Sequence, residues 1–288
     1  MSRSPMLNVV VAAVRKAGEV LTTAERHRSS NPPALSARQE FLDEVSGLVC
    51  DFLLQPLLKT YPQHVFYVND ELKSAGDYAD DVEQAEHVWH ITPIDGTDNF
   101  LHGLPNYAIV VSYTAYARPK LAVVFDPVHN DLYVAQQGSG VLKNDKKQRV
   151  SQALDKSTET ALLNTPIVCA TEITDGTTAL SYLDLQKAST LLGEQIPAAW
   201  RYRSTGSAYL SICALAGGQL QWACVSLNDK KMPSAMRLIL MESGASFLHL
   251  PDTSVWCAAE GNAIEDLVKK VNRLNQIPGL ASKNSTKN

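Results

Sequence analysis

Val88-Trp89-His90-Ile91-Thr92-Pro93-Ile94-Asp95-Gly96-Thr97-Asp98-Asn99-Phe100 is the stretch on which the reading of this chain turns. The run opens as a β-strand, rich in branched and aromatic residues. Asp95 and Gly96 then form a tight turn, and Thr97 stands where a short helical turn begins with free backbone N–H groups. Such a turn is a ready cradle for an anion. On its own, Asp-Gly-Thr is equally an ordinary turn, so the surrounding sequence has to decide.

Upstream of this stretch, apolar residues at 7, 10, 11, 14, 17 and 21 recur every three and four positions, the stripe of a helix buried on one side. A Ser/Pro-rich loop at 29–33 leads to a second helical pattern, Phe41, Val45, Leu48, Val49, Phe52 and Leu53, which Pro56 should end or kink. Short β-type runs follow at 65–68, 88–91, 108–116, 121–125, 132–135 and 140–142. Their links at Arg118-Pro119, His129-Asn130-Asp131 and Asn144-Asp145 are short and turn-forming, which predicts an antiparallel meander. Further on, helical patterns at 179–192, 208–216, 234–243 and 263–274 alternate with β-type stretches near Leu162, Trp200, Trp222 and Phe247. A layered α/β architecture follows, one compact domain over residues 1–281 with a disordered tail at 282–288.

Composition narrows the classes. The chain has 288 residues, 45% hydrophobic and 19% charged, enough for a substantial core. A net charge of -4 carries no basic excess, so nucleic acid is not expected as a direct specific ligand. The five cysteines (Cys50, Cys169, Cys213, Cys224 and Cys257) are scattered and never spaced C-x-x-C, against both a disulfide framework and a structural zinc site. With no apolar run long enough to span a bilayer and no signal-peptide core, a soluble cytoplasmic protein is expected.

The wider context of the opening stretch carries a resemblance. It resembles the signature W-x-x-D-P-x-D-G-T-x-N-F of the inositol monophosphatase family of Mg-dependent phosphatases. Other segments match in order: Pro5-Met6-Leu7-Asn8 and Arg15-Lys16-Ala17-Gly18, similar to the bacterial SuhB branch; Tyr61-Pro62-Gln63-His64; Leu101-His102-Gly103-Leu104-Pro105; Val123-Val124-Phe125-Asp126-Pro127; Arg203-Ser204-Thr205-Gly206-Ser207-Ala208; and Glu242-Ser243-Gly244. The resemblance implies an α-β-α-β-α sandwich of the fructose-bisphosphatase type, usually dimeric. It also implies phosphate-monoester cleavage by Mg ions held on convergent carboxylates.

Residue by residue, the implied site is incomplete. The family's first signature Asp falls on Thr92, whose neutral hydroxyl cannot bridge metals. The second is retained as Asp95, with the Ile94 carbonyl beside it. The Glu-Glu pair falls on Asn69 and Asp70; one inserted residue would put Asp70 at the first position. The Asp of the late W-D dipeptide falls on Met232, with Lys231 in place of the Trp, and a thioether does not suit Mg. The Asp that helps Thr97 orient water falls on Ser46, with Asp43 one turn earlier as a substitute. A sugar-side carboxylate falls on Val225. Asp95 and Thr97 are thus the catalytic remnant, Asp70, Asp95 and Ile94 the remaining metal donors, and Gly96, Thr97, Gly206 and Ser207 the substrate-side residues.

Two functions follow. One is an inert or severely impaired family member that acts by binding and needs no cofactor; similarity to the SuhB branch implies NusA and RNA polymerase as partners in transcription antitermination. The other is an Mg-dependent phosphatase of inositol or sugar phosphates using Asp70, Asp95 and either Asp98 or Asp43. Other features read more plainly: His87, His90 and His102 as strand or loop residues, the basic run Lys143, Lys146, Lys147 and Arg149 as a solvated hairpin tip, and Cys213 and Cys224 as buried fillers.

Overall fold

The computed structural model describes residues 4–27, 35–78, 84–150, 167–172, 201–227, 232–250, 255–262 and 264–265. Two long helices open the chain, α1 (Pro5–His27) and α2 (Leu35–Thr60). Of the two outcomes expected at Pro56, an end or a kink, the first does not occur: α2 runs through it to Thr60. Its missing N–H forgoes the bond to the Phe52 carbonyl, yet the turn beyond it still closes, Thr60 Oγ1 donating to the Pro56 carbonyl at 2.7 Å and Tyr61 N to the Leu57 carbonyl at 2.7 Å.

Eight strands then build the first sheet: β1 (Val65–Val68), β2 (Glu71–Ser74), β3 (His87–Asp95), β4 (Ala108–Ala115), β5 (Arg118–Asp126), β6 (Asp131–Gln136), β7 (Gly140–Lys143) and β8 (Lys146–Gln148). Spatial order is β2-β1-β3-β4-β5-β6-β7-β8, with β1 parallel to β3 and the run from β3 to β8 an antiparallel meander, as its turn-rich links predict. The sequence reading omits β2 and β8, which are short, polar and exposed edge strands with no apolar alternation to betray them.

One face of the meander packs on α1 and α2 through Trp89, Ile91, Ile109, Val123 and Phe125. The other packs on α4 (Ala208–Ala216) and α5 (Ser234–Ser243) through Ala108, Val110, Ala122 and Val124. Covered on both sides, β4 is buried along all of its length. A second, mixed sheet contains β9 (Ile167–Glu172), β10 (Arg201–Arg203), β11 (Trp222–Ser226), β12 (Ala245–His249) and β13 (Val255–Glu260), in the order β10-β9-β11-β13-β12. Helix α4 touches β9 and β11, and α5 touches β12, so one helical layer serves both sheets. Helix pair, sheet, helix pair, sheet is the layer order of an α/β sandwich. The helical patterns at 179–192 and 266–274 lie outside the described residues, as does the β-type stretch near Leu162, while the one near Trp200 is met by β10.

Candidate functional site

Pro93 is the residue that shapes the site. Lacking an N–H, it cannot hold a place in the ladder, and the β3–β4 register breaks between Thr92, opposite Val110, and Asp95, opposite Ala108. Two residues, Pro93 and Ile94, therefore stand against one, Ile109, and β3 carries a bulge. In a regular strand Thr92 and Asp95, three apart, would point to opposite faces. The extra residue reverses the phase: Ile94 packs with Trp89 and Ile91 on the α1/α2 side, and Asp95 turns with Thr92 toward α4. The strand run is also longer than the sequence reading of 88–91, because the bulge carries pairing on to Asp95.

Asp95 is buried at 8% exposure. Its Oδ2 accepts from Ser207 Oγ in a very short hydrogen bond and from Tyr209 N at 3.1 Å, and the backbone N–H of Ala208 also donates to the carboxylate. Burial pushes its carboxyl up from 3.8 to about 6, against the opposing pull of the Ser207, Tyr209 and Ala208 donors. The group is thus spent on the first turn of α4, whose free N–H groups and positive end favour a carboxylate. Ser207 caps the same turn, its Oγ also accepting from Leu210 N at 3.2 Å. Ser207, read from sequence as substrate-side, is fully buried in this junction. Its position just before an apolar helical run was a cap signal already present in the sequence.

Gly96 and Gly206 meet beside it. Both adopt positive φ, +82° and +74°. A Cβ on Gly96 would lie 2.7 Å from the Asn106 carbonyl, and one on Gly206 would lie 2.6 Å from Asn99 Nδ2. Asn99 ties the two loops by donating through Nδ2 to the Asn106 carbonyl at 2.8 Å and the Thr205 carbonyl at 2.7 Å. Sequence reasoning assigned Asn99 no role, although it is part of the opening stretch; its partners are seven and 106 residues away. Thr97 begins α3 (Thr97–His102), half-buried, with Asp98 exposed behind it.

The remaining nominated residues scatter. Asn69 and Asp70 are the two central residues of the β1–β2 hairpin, both at positive φ (47° and 63°), and both side chains are exposed. Asn69 N donates to the Ile91 carbonyl at 3.0 Å, so the tip lies beside β3, and the Asp70 charge reaches Tyr209. Met232 is buried in the core under the first sheet, and Val225 is buried in β11. Ser46 is half-buried on α2, while Asp43, exposed, accepts from Gln39 Nε2 at 2.9 Å. Asp126 is buried but spent on its own turn, accepting from Val128 N at 2.9 Å, His129 N at 3.1 Å and His129 Nδ1 at 2.7 Å. Glu242 clamps the β6–β7 turn through Gly138 N and Gly140 N, at 2.7 and 2.8 Å. His87 is engaged with Tyr113 Oη at 2.7 Å and stacks on His64.

A hard divalent ion needs about six oxygen donors, several of them anionic. Among the described residues no group of three or more His, Cys, Asp or Glu is placed to hold one. Among the described residues near Asp95 the donors are one carboxylate already committed to α4, the neutral Thr92 and the exposed Asp70, a set that does not fit such an ion. No helix among the described residues is long and apolar enough to cross a membrane. A groove of about 590 Å³, lined by Val20, Phe41, Leu48 and Phe52, opens between α1 and α2 on the other side of the sheet from Asp95.

The inositol monophosphatase family model matches residues 2–271. A putative Nus factor SuhB of Neisseria meningitidis serogroup B is 30% identical over 257 residues, covering 88% of this chain and 90% of that protein. The Nus factor SuhB of Escherichia coli K12 is 30% identical over 226 residues, 75% of this chain and 74% of that one. Among solved structures, inositol monophosphatase II of Staphylococcus aureus superposes with a TM-score of 0.71 at 20% identity, covering 97% of this chain and all of that one, a likeness of fold.

Proposed function

The chain belongs to the inositol monophosphatase family, and we propose that it keeps the fold of these phosphatases but acts by binding, without cation-dependent turnover. The observation that carries this reading is Asp95. The one acidic residue in register with the family signature accepts from Ser207, Ala208 and Tyr209 and works as an internal helix cap. The replacements around it support the same reading, since Thr92 brings no charge and Met232 is part of the apolar core. One relative bears the name Nus factor SuhB and another that of a putative Nus factor SuhB, which supports a binding role in transcription antitermination; NusA and RNA polymerase as partners and a homodimer as the working unit are what the resemblance of the sequence to the SuhB branch implies.

Hydrolysis of inositol phosphate across Mg and Mn concentrations tests the first half, with Asp95→Asn as the control. The expected result is no turnover above that control. Turnover in the wild type that the substitution abolishes would establish a working phosphatase instead. Purified NusA and RNA polymerase, titrated onto the chain, test the second half; saturable binding unchanged by chelator is expected, and its absence with both overturns the antitermination role.

A further inference from the structure

Tyr209 is the second residue of α4, and its backbone and side chain do different things. Its N–H is fixed on Asp95 Oδ2 at 3.1 Å. Its ring is carried inward from that anchor, buried at 7% exposure and packed in the core beneath the first sheet. The phenol reaches the Thr92 side chain, and both the Asp95 and the Asp70 charges are felt at its oxygen. The β3 bulge brings Thr92 and Asp95 to the face that meets α4, Asn69 N on the Ile91 carbonyl brings the β1–β2 tip beside β3, and Tyr209 enters from α4 on that same face. With its N–H anchored on Asp95 and its ring buried in close packing, the side chain has little room to swing away.

We propose that Tyr209 is a built-in plug: its ring and hydroxyl fill the space between Thr92, Asp95 and Asp70 that a divalent cation would have to enter. This rests on the non-catalytic reading above and adds to it. Loss of carboxylates would leave a weak cation site; a tyrosine wedged among the remaining donors leaves none. A neutral hydroxyl offers one partner to Thr92 without the charge that would draw an ion back. Restoring the missing charge alone therefore does not restore the site.

The test is a Mn(II) titration, read from the electron paramagnetic resonance signal of the free ion, on wild type, Thr92→Asp, Thr92→Asp/Tyr209→Phe and Thr92→Asp/Tyr209→Ala, with thermal midpoints as a check on folding. Wild type and Thr92→Asp should bind within about threefold of each other, while the alanine double variant should bind at least about tenfold tighter than Thr92→Asp. The phenylalanine double variant keeps the ring and should stay with Thr92→Asp. If Thr92→Asp alone, or together with Tyr209→Phe, gains as much as the alanine pair, the plug is wrong and charge loss is the whole block. Tight binding by the wild type would instead overturn the non-catalytic reading. Should the alanine pair not fold, Thr92→Asp/Tyr209→Val decides by the same comparison.

Discussion

Asp95 and Asp70 are nominated by the sequence for the same duty, and the fold puts them in opposite surroundings. Asp95 ends a bulged central strand, buried, with the first turn of α4 closed over it. Asp70 is exposed at a hairpin tip at the edge of the same sheet. A second hairpin makes the contrast instructive. Asn144-Asp145 turns the β7–β8 hairpin at the opposite edge with φ of 48° and 66°, matching the 47° and 63° of Asn69-Asp70. Asn and Asp tolerate the left-handed conformation that two-residue hairpins of this kind demand at both central positions. The backbone of a turn is thus enough to explain an Asp at 70, whereas nothing about strand geometry calls for an Asp at 95.

Substitutions can break this contrast. The largest effect should come from Asp95→Ala, which strands the Ser207 hydroxyl and the N–H groups of Ala208 and Tyr209 without acceptors; a loss of about 3 kcal/mol is expected in denaturant unfolding at pH 5. Asp70→Ala should cost far less there, and equal losses would mean Asp70 is as deeply engaged as Asp95. Next is the pH dependence. The Asp95 carboxyl rises from 3.8 unfolded to about 6 folded, so the native state binds that proton more tightly. Its stabilising effect is full below the unfolded value and is lost as pH climbs to about 6, on the order of 3 kcal/mol at ~1.4 kcal/mol per unit. Unfolding free energy measured from pH 4 to 7 should fall with this slope, and Asp95→Asn should flatten it.

Ser207→Ala removes the cap and one Asp95 donor together and should cost about 1–2 kcal/mol. A loss no larger than at an exposed serine would show that the junction does not depend on it. The smallest effect belongs to the tip: Asp70→Gly and Asp145→Gly should each shift the thermal midpoint little and alike, within about 0.5 kcal/mol, since Asn-Gly suits this turn as well. A marked drop at 70 alone would give Asp70 a duty beyond its turn.

Much of the architecture is legible in the residue pattern. Helix α1 shows its stripe because one face packs on the first sheet, and α4 and α5 begin and end where their patterns do. Strands buried on both faces read as continuous apolar runs, so β4 to β6 are plain. The edge strands β2 and β8 are not, because pairing rather than side-chain pattern makes them strands. In the site, Asp95, Gly96, Gly206 and Ser207, all named from the sequence, lie together at one junction. The roles of Asn99 and Tyr209 are not visible there, since each depends on a partner about 106 or 114 residues away along the chain.

What the sequence by itself determined is the family, the layer order and the identity of the side chains at each signature position, because these follow from local pattern and ordered matches. What only the tertiary structure decided is what those side chains do. A proline-induced bulge, invisible in a linear register, turned Thr92 and Asp95 to one face. The N-terminus of a helix that begins more than a hundred residues later then took the carboxylate and placed a tyrosine beside it. A carboxylate's duty is set by which donors reach it first, and that is a property of packing.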